Sequence, residues 1–140
     1  MSNFFLLANY HVFYQKLRNY HWNVTGGDFF DLHEKFEELY TEAVTNIDEI
    51  AERIRVFGMT PMSTMKDYLE NSTIQETGTN LSDTEMLTEV LKDMETIDSF
   101  LIESIDRASE HGDVATMDML NKMAKSIEKH HWMLKAFMSR

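Results

Sequence analysis

The stretch "MTPMSTMKDYLENSTIQETGTNLSD", Met59 to Asp83, separates two halves of similar periodicity. At about 25 residues it is far longer than the roughly 2–8 residues that usually join neighbouring helices. Upstream, apolar residues recur at three- and four-residue steps through Leu6, Tyr10, Phe13, Leu17, Tyr20 and Val24. The pattern resumes after Thr25-Gly26-Gly27 through Leu32, Phe36, Leu39, Ala43, Ile47, Ile50, Ile54 and Phe57, and Gly58 and Pro61 close it. Downstream, Leu87, Val90, Met94, Ile97, Leu101, Ile105 and Ala108 form a third block, which His111-Gly112-Asp113 ends. Leu120, Met123, Ile127, His131, Leu134 and Phe137 form the fourth. This spacing predicts four amphipathic helices of roughly 20–30 residues each.

The start signals fit those blocks. Asp28 or Asp31 can cap the second helix, and Asp31 with Glu34 three residues later resembles a capping box. Ser82 or Asp83 can cap the third. Inside the long connection, "TMKDYLEN" is suited to a short extra helix. Two helical hairpins joined by a long crossover describe an all-α fold: a ferritin-like four-helix bundle with a short helix between helices two and three. Residues 1–140 form one expected domain, because strand alternation, repeats and low-complexity tracts are absent from the sequence.

Composition narrows the chemistry. Thirteen Lys and Arg against 24 Asp and Glu give a net charge of -11, which repels nucleic acid and anionic membranes and attracts cations. The absence of cysteine excludes disulfides, thiolate metal sites, iron–sulfur clusters and cysteine catalysis. A metal site must therefore use His, Asp and Glu, donors suited to iron, manganese or zinc. No signal peptide or membrane-spanning run is read in the sequence, and the expected location is the cytoplasm.

Two pairs on the second helix stand out. His33 and Glu37 are four residues apart, as are Asp48 and Glu52, so the members of each pair face the same way on a helix. Each pair alone reads more readily as the solvated face of an acidic helix than as a ligand pair. His33 and Asp48 are separated by about 22 Å at ~1.5 Å per residue, whereas a metal–ligand bond spans about 2 Å. The two pairs cannot serve one metal within one straight helix. They are either unrelated half-sites or halves completed by a second chain across a two-fold axis. His21 sits just across the helix break, close to the apolar stripe of the first helix.

The run "LRNYHWNVTGGDFFDLHEKFEELYTEAVTNIDEIAERI", with "HGDVATMDML" and "HHWMLKAF", closely resembles the signature of the Dps (DNA-binding protein from starved cells) mini-ferritins. The similarity covers nearly the whole chain. It implies a hollow twelve-subunit shell with a ferroxidase centre at a two-fold dimer interface. The implied ligands are His21, Asp48 and Glu52 of one chain with His33 and Glu37 of its partner. Many members of the family have Asp in place of Glu37. The implied reaction is oxidation of Fe(II), preferentially by hydrogen peroxide, followed by storage of Fe(III) as mineral and protection against oxidative stress.

The same resemblance points to Glu34 and Glu38 as residues that seed mineral, against the reading of an ordinary solvated face. It places Asp113 and Asp118 at cation pores, where Asp113 can equally cap the fourth helix and Lys122 replaces a further acid of some relatives. Trp22 is implied to intercept radicals near the iron. Trp132, Tyr20 and Tyr40 read as packing residues, the methionines as core filling, and His11, His111, His130 and His131 as structural or surface residues. The competing function is a DNA-compacting protein that protects the nucleoid. The first basic residue, Lys16, already lies within helix one, and with the negative net charge direct DNA binding is not expected.

Overall fold

The computed structural model describes residues 2–139. It contains five helices: α1 (Ser2–Asn23), α2 (Phe29–Val56), α3 (Met65–Asn71), α4 (Asp83–Glu110) and α5 (Val114–Met138). Helices α1 and α2 form one hairpin and α4 and α5 the other. Residues 57–82 cross between them and carry the expected short helix, which Thr64 caps by accepting a hydrogen bond from the Asp67 amide. The predicted bundle is present, and among the described residues no helix is long and apolar enough to cross a membrane.

The core follows the stripes. Phe36, Ile50, Ile54, Leu87, Met94, Ile97 and Leu120 are buried among one cluster with Leu6, Leu7, Leu17 and Tyr20. The start of α4 uses Ser82: its hydroxyl accepts from the Glu85 amide while the Glu85 carboxylate accepts from the Ser82 amide. The Asp31–Glu34 capping box does not form, because α2 begins earlier. Gly26 adopts φ +111°, which a residue with a Cβ rarely does, and the turn brings the Phe29 amide to the Gly26 carbonyl at 3.2 Å. Both acids are then already helical, and Asp28 occupies the N-cap position without a side-chain cap bond.

Helix α1 departs from the amphipathic expectation. Polar residues on it are buried as deeply as its leucines, because the crossover covers its outer side. Asn9 is fully buried; its carbonyl oxygen accepts from the Ile74 and Thr73 amides and the Ser72 hydroxyl, and its amide donates to the Phe5 carbonyl. Tyr20 and Thr77 share a 2.7 Å hydrogen bond, and the His11 and Tyr68 rings stack at 3.7 Å. On the same face as Asn9, Lys16, 2% exposed, reaches α4 and lies 2.6 Å from Asp93 and 2.9 Å from Glu89. Burial opposes the charge on Lys16, but the two carboxylates outweigh it and hold the amine above its ordinary range. Burial likewise pushes the Asp93 carboxyl up to about 6, against the pull of Lys16.

Candidate metal centre

His21 lies in the last turn of α1 and His33 early in α2. The Gly26 turn folds these helix ends together, and the two imidazoles stack at 3.8 Å with 12° between their planes. Each ring bonds the backbone of the other: His21 Nδ1 is 2.6 Å from the His33 carbonyl, and His33 Nδ1 is 2.7 Å from the His21 carbonyl. A carbonyl oxygen only accepts, so both Nδ1 atoms carry the proton. In the neutral rings the lone pairs are consequently on Nε2. A metal-binding histidine is commonly oriented in this way, with its second nitrogen donating to a carbonyl.

The pair is fixed on both sides. Phe29 stacks on His33 at 5.0 Å, and Tyr40 meets His21 edge-on at 5.3 Å. His21 is only 6% exposed. Its Nε2 faces Glu37 Oε1 at 3.6 Å, and Glu37 itself is exposed. One protomer thus brings together His21, His33 and Glu37.

This corrects the grouping expected for His21. It does not join Asp48 and Glu52 within a chain; the glycine turn commits it to His33 instead. Asp48 and Glu52 lie exposed toward the far end of α2. Among the described residues, no three His, Asp or Glu side chains converge as a complete metal-binding group.

The helix bounds reveal a symmetry in these positions. His33 comes four residues after the first residue of α2 and Glu52 four before the last. Glu37 is eight residues in, and Asp48 eight from the end. All four occupy an arc of roughly 100°, together with Thr41 and Val44, on the side away from Phe36, Ala43 and Ile50. Glu37, Thr41, Val44, Asp48 and Glu52 are all exposed. An antiparallel second copy of α2 centred on its midpoint sets His33 opposite Glu52 and Glu37 opposite Asp48.

The remaining candidate residues are distributed around this centre. Glu34 and Glu38 line, with Asp31, Lys35, Glu37 and Thr41, a surface depression of about 580 Å³. Lys35 donates to Glu38 at 3.2 Å. Asp113 caps α5, accepting from the Thr116 amide and from Arg53 at 3.0 Å. Its Thr116 hydrogen bonds, followed by the Arg53 charge, hold its carboxyl below the usual range. Asp118 is exposed on the first turns of α5. Trp22 is 57% exposed and packs under the Arg18 guanidinium at 4.9 Å.

Sequence spacing missed the cross-helix contacts of two histidines. Lys35 donates to His130 Nδ1 at 3.1 Å, leaving His130 Nε2 to face Glu42 at 3.4 Å. His131 Nε2 lies 2.8 Å from Glu95. The partners are far apart in the chain, so no periodicity announces them.

Comparison with known proteins agrees with this architecture. Residues 6–140 match the family model of the ferritin-like domain. General stress protein 20U of Bacillus subtilis (strain 168) is 47% identical over 132 residues, covering 94% of this chain and 91% of that protein. The crystal structure of a Dps protein from Bacillus brevis superimposes with a TM-score of 0.94 at 44% identity, covering 98% of this chain and 92% of that one. The chain belongs to the Dps family of mini-ferritins. A further Dps structure, from Vibrio cholerae O1, is described as a member of a broad superfamily of ferritin-like diiron-carboxylate proteins. It is 35% identical, with a TM-score of 0.95 and coverage of 98% and 86%. Membership of Dps in that superfamily accords with iron as the metal, and the nitrogen and carboxylate donors of α1 and α2 suit it.

Proposed function

We propose that this protein takes up Fe(II), oxidises it, preferentially with hydrogen peroxide, and stores the Fe(III) inside a hollow twelve-subunit shell in the cytoplasm, protecting the cell against oxidative stress. The ferroxidase sites lie at a two-fold interface between α2 helices. His21, His33 and Glu37 of one chain face Asp48 and Glu52 of the partner subunit, and symmetry makes two such sites. The symmetric placement of the two pairs about the midpoint of α2 is the observation that supports this most directly.

Iron is the substrate here, and the residues divide the work. The imidazole Nε2 atoms, aimed by the reciprocal carbonyl bonds, bind Fe(II) without adding charge. Glu37, Asp48 and Glu52 supply negative charge, which favours Fe(III) over Fe(II) and so promotes oxidation. Two Fe(II) and one peroxide, with two protons, give two Fe(III) and two waters. This two-electron balance releases no hydroxyl radical. The depression beside Glu37, with Glu34 and Glu38, collects the product ion and seeds mineral. Asp118, with Asp113 behind it, attracts cations toward the entry pore. The charge of -11 disfavours direct contact with DNA, so protection of DNA proceeds through removal of iron and peroxide.

The test is anaerobic loading with Fe(II) followed by peroxide, read by ferric absorbance. Rapid oxidation is expected, and loss of it in a variant with His21, His33 and Asp48 all changed to Ala. Equal oxidation by that variant refutes the site.

A further inference from the structure

At the opposite end of α2 from His33, the bundle holds a cavity of about 380 Å³. Its walls come from both hairpins: Phe4 of α1, Ile54 of α2, Phe57 and Met59 just beyond it, and Ser104 and Ala108 of α4. Ile54 and Ser104, 2% and 3% exposed, form its floor. The Ser104 hydroxyl has no hydrogen-bond partner among the described residues. A serine or threonine inside a helix can give its proton to the carbonyl four residues back, and Thr88, Thr96 and Ser99 of α4 all do so. Those three lie nearer to solvent. Ser104, buried against the cavity, does not, although an unpaired polar group is most costly where it is buried.

We infer that this cavity is a binding site for a small neutral phenol, whose hydroxyl pairs with Ser104 and whose ring packs against Phe4 and Phe57. The floor supplies one free polar atom in apolar surroundings. A buried water needs two to four polar partners, whereas a ligand with one polar atom needs one. The Ser104 hydroxyl both donates and accepts, so another hydroxyl is its match. Two phenylalanine rings and the Met59 thioether favour an aromatic body. The rim favours a neutral one, because its charged groups already have partners. Arg53 donates to Asp113 and Thr116. Arg107 donates to Glu103 at 3.2 Å, and His111 Nδ1 donates to the Arg107 carbonyl at 2.8 Å. The volume lies at the lower end of the roughly 300–1,000 Å³ of small-molecule pockets, which suits one ring or two fused rings.

This site shares no residue with His21, His33, Glu37, Asp48 or Glu52, so it stands apart from the ferroxidase reading. It gathers the ends of all four long helices, with Phe4 on α1, Ile54 on α2, Ser104 on α4 and Thr116 on α5. A ligand held there binds the folded bundle and not the unfolded chain, and so stabilises the fold by mass action.

The test uses p-cresol and p-xylene, which have nearly the same shape and differ by one hydroxyl. Each is titrated into the assembled protein and followed by saturation-transfer NMR, with thermal unfolding as a second readout. p-Cresol is expected to bind saturably and to raise the unfolding temperature. Ser104→Ala weakens p-cresol about tenfold, the weight of one hydrogen bond, and does not weaken p-xylene. Ala108→Leu pushes a branched side chain into the cavity and weakens both ligands, and its own unfolding transition shows that it is folded. Absence of saturable p-cresol binding, as when a neighbouring subunit or ordered water fills the cavity, overturns the inference. Equal weakening of both ligands by Ser104→Ala overturns it too, as does p-cresol binding that a folded Ala108→Leu protein retains in full.

Discussion

A shared site can be tested by mixing two inactive proteins. In the first, His33 and Glu37 are changed to Ala; in the second, Asp48 and Glu52. Each homogeneous assembly lacks one half of every site and is inactive. In a mixed α2 pair, one site receives both damaged halves and the other receives both intact ones. Random co-assembly at equal amounts gives each site an intact His33 half with probability one half and an intact Asp48 half with the same probability. Activity then recovers to about a quarter of the unaltered protein, and to about a half in purified mixed dimers. The assay is co-expression with two different affinity tags, tandem purification and single-turnover ferric absorbance. The ~22 Å between the pairs along one helix excludes recovery within a chain. Activity no greater than in the parent assemblies refutes the two-fold arrangement.

The same assay decides where His21 belongs. Its stacking on His33 at 3.8 Å places it in the His33 half. A His21→Ala protein is then restored by the Asp48/Glu52 variant and not by the His33/Glu37 variant. The opposite pattern is expected if His21 works with Asp48 and Glu52 of its own chain.

Two predictions concern the scaffold. Lys16→Met leaves Asp93, 3% exposed, without its cation, and breaking a buried pair from one side costs about 3–5 kcal/mol; urea unfolding at fixed protein concentration measures the loss, and Lys16→Met with Asp93→Leu recovers most of it. Burial, with the Glu128 carboxylate beside it, pushes the Asp98 carboxyl up to about 6, above its unfolded value, so the folded state loses stability as pH rises from about 4 to 6. Asp98→Asn removes that cost: the gain is about 1 kcal/mol at pH 7.5 after allowance for solvent screening of a partly exposed group, and near zero at pH 4. Thermal unfolding at the two pH values checks it, and an equal gain at both refutes the titration argument.

What the sequence conveyed was whatever repeats along one helix. The apolar stripes located the four long helices, the long connection set the hairpin topology, and the four-residue spacing exposed both carboxylate-bearing pairs. What it withheld depends on contacts between distant segments. Nothing in "HWNVTGGDF" says that the Gly26 turn will lay His21 flat against His33. The crossover that buries Asn9 is more than sixty residues away from it, so α1 could be read only as an ordinary surface helix. Tyr40 fell beside the apolar stripe and read as packing; its edge-on contact with His21 appears only in three dimensions. The Asp31–Glu34 box shows the reverse error, where a correct local motif lost to an earlier helix start set by a glycine.

The placement of the two pairs has a consequence for control of the chemistry. In the proposed arrangement a lone chain holds His21, His33 and Glu37 at one end of α2 and Asp48 and Glu52 at the other, and neither end binds iron fully. Two of the three carboxylates that favour Fe(III) reach the imidazoles only when a second α2 lies antiparallel on the first. In that arrangement oxidation is confined to assembled protein, where the proposed cavity receives the product. The length of α2 enforces this: four residues from each end, repeated at eight, is a spacing that one helix cannot close on itself and two helices close twice. Inserting four residues at Val44 in one of two differently tagged chains keeps each local pair intact and adds about 6 Å to the separation of the pairs in that chain alone, so a purified mixed dimer with the unaltered chain can close at most one of its two sites even though every ligand is retained. Full oxidation by both sites of that mixed dimer contradicts the antiparallel register.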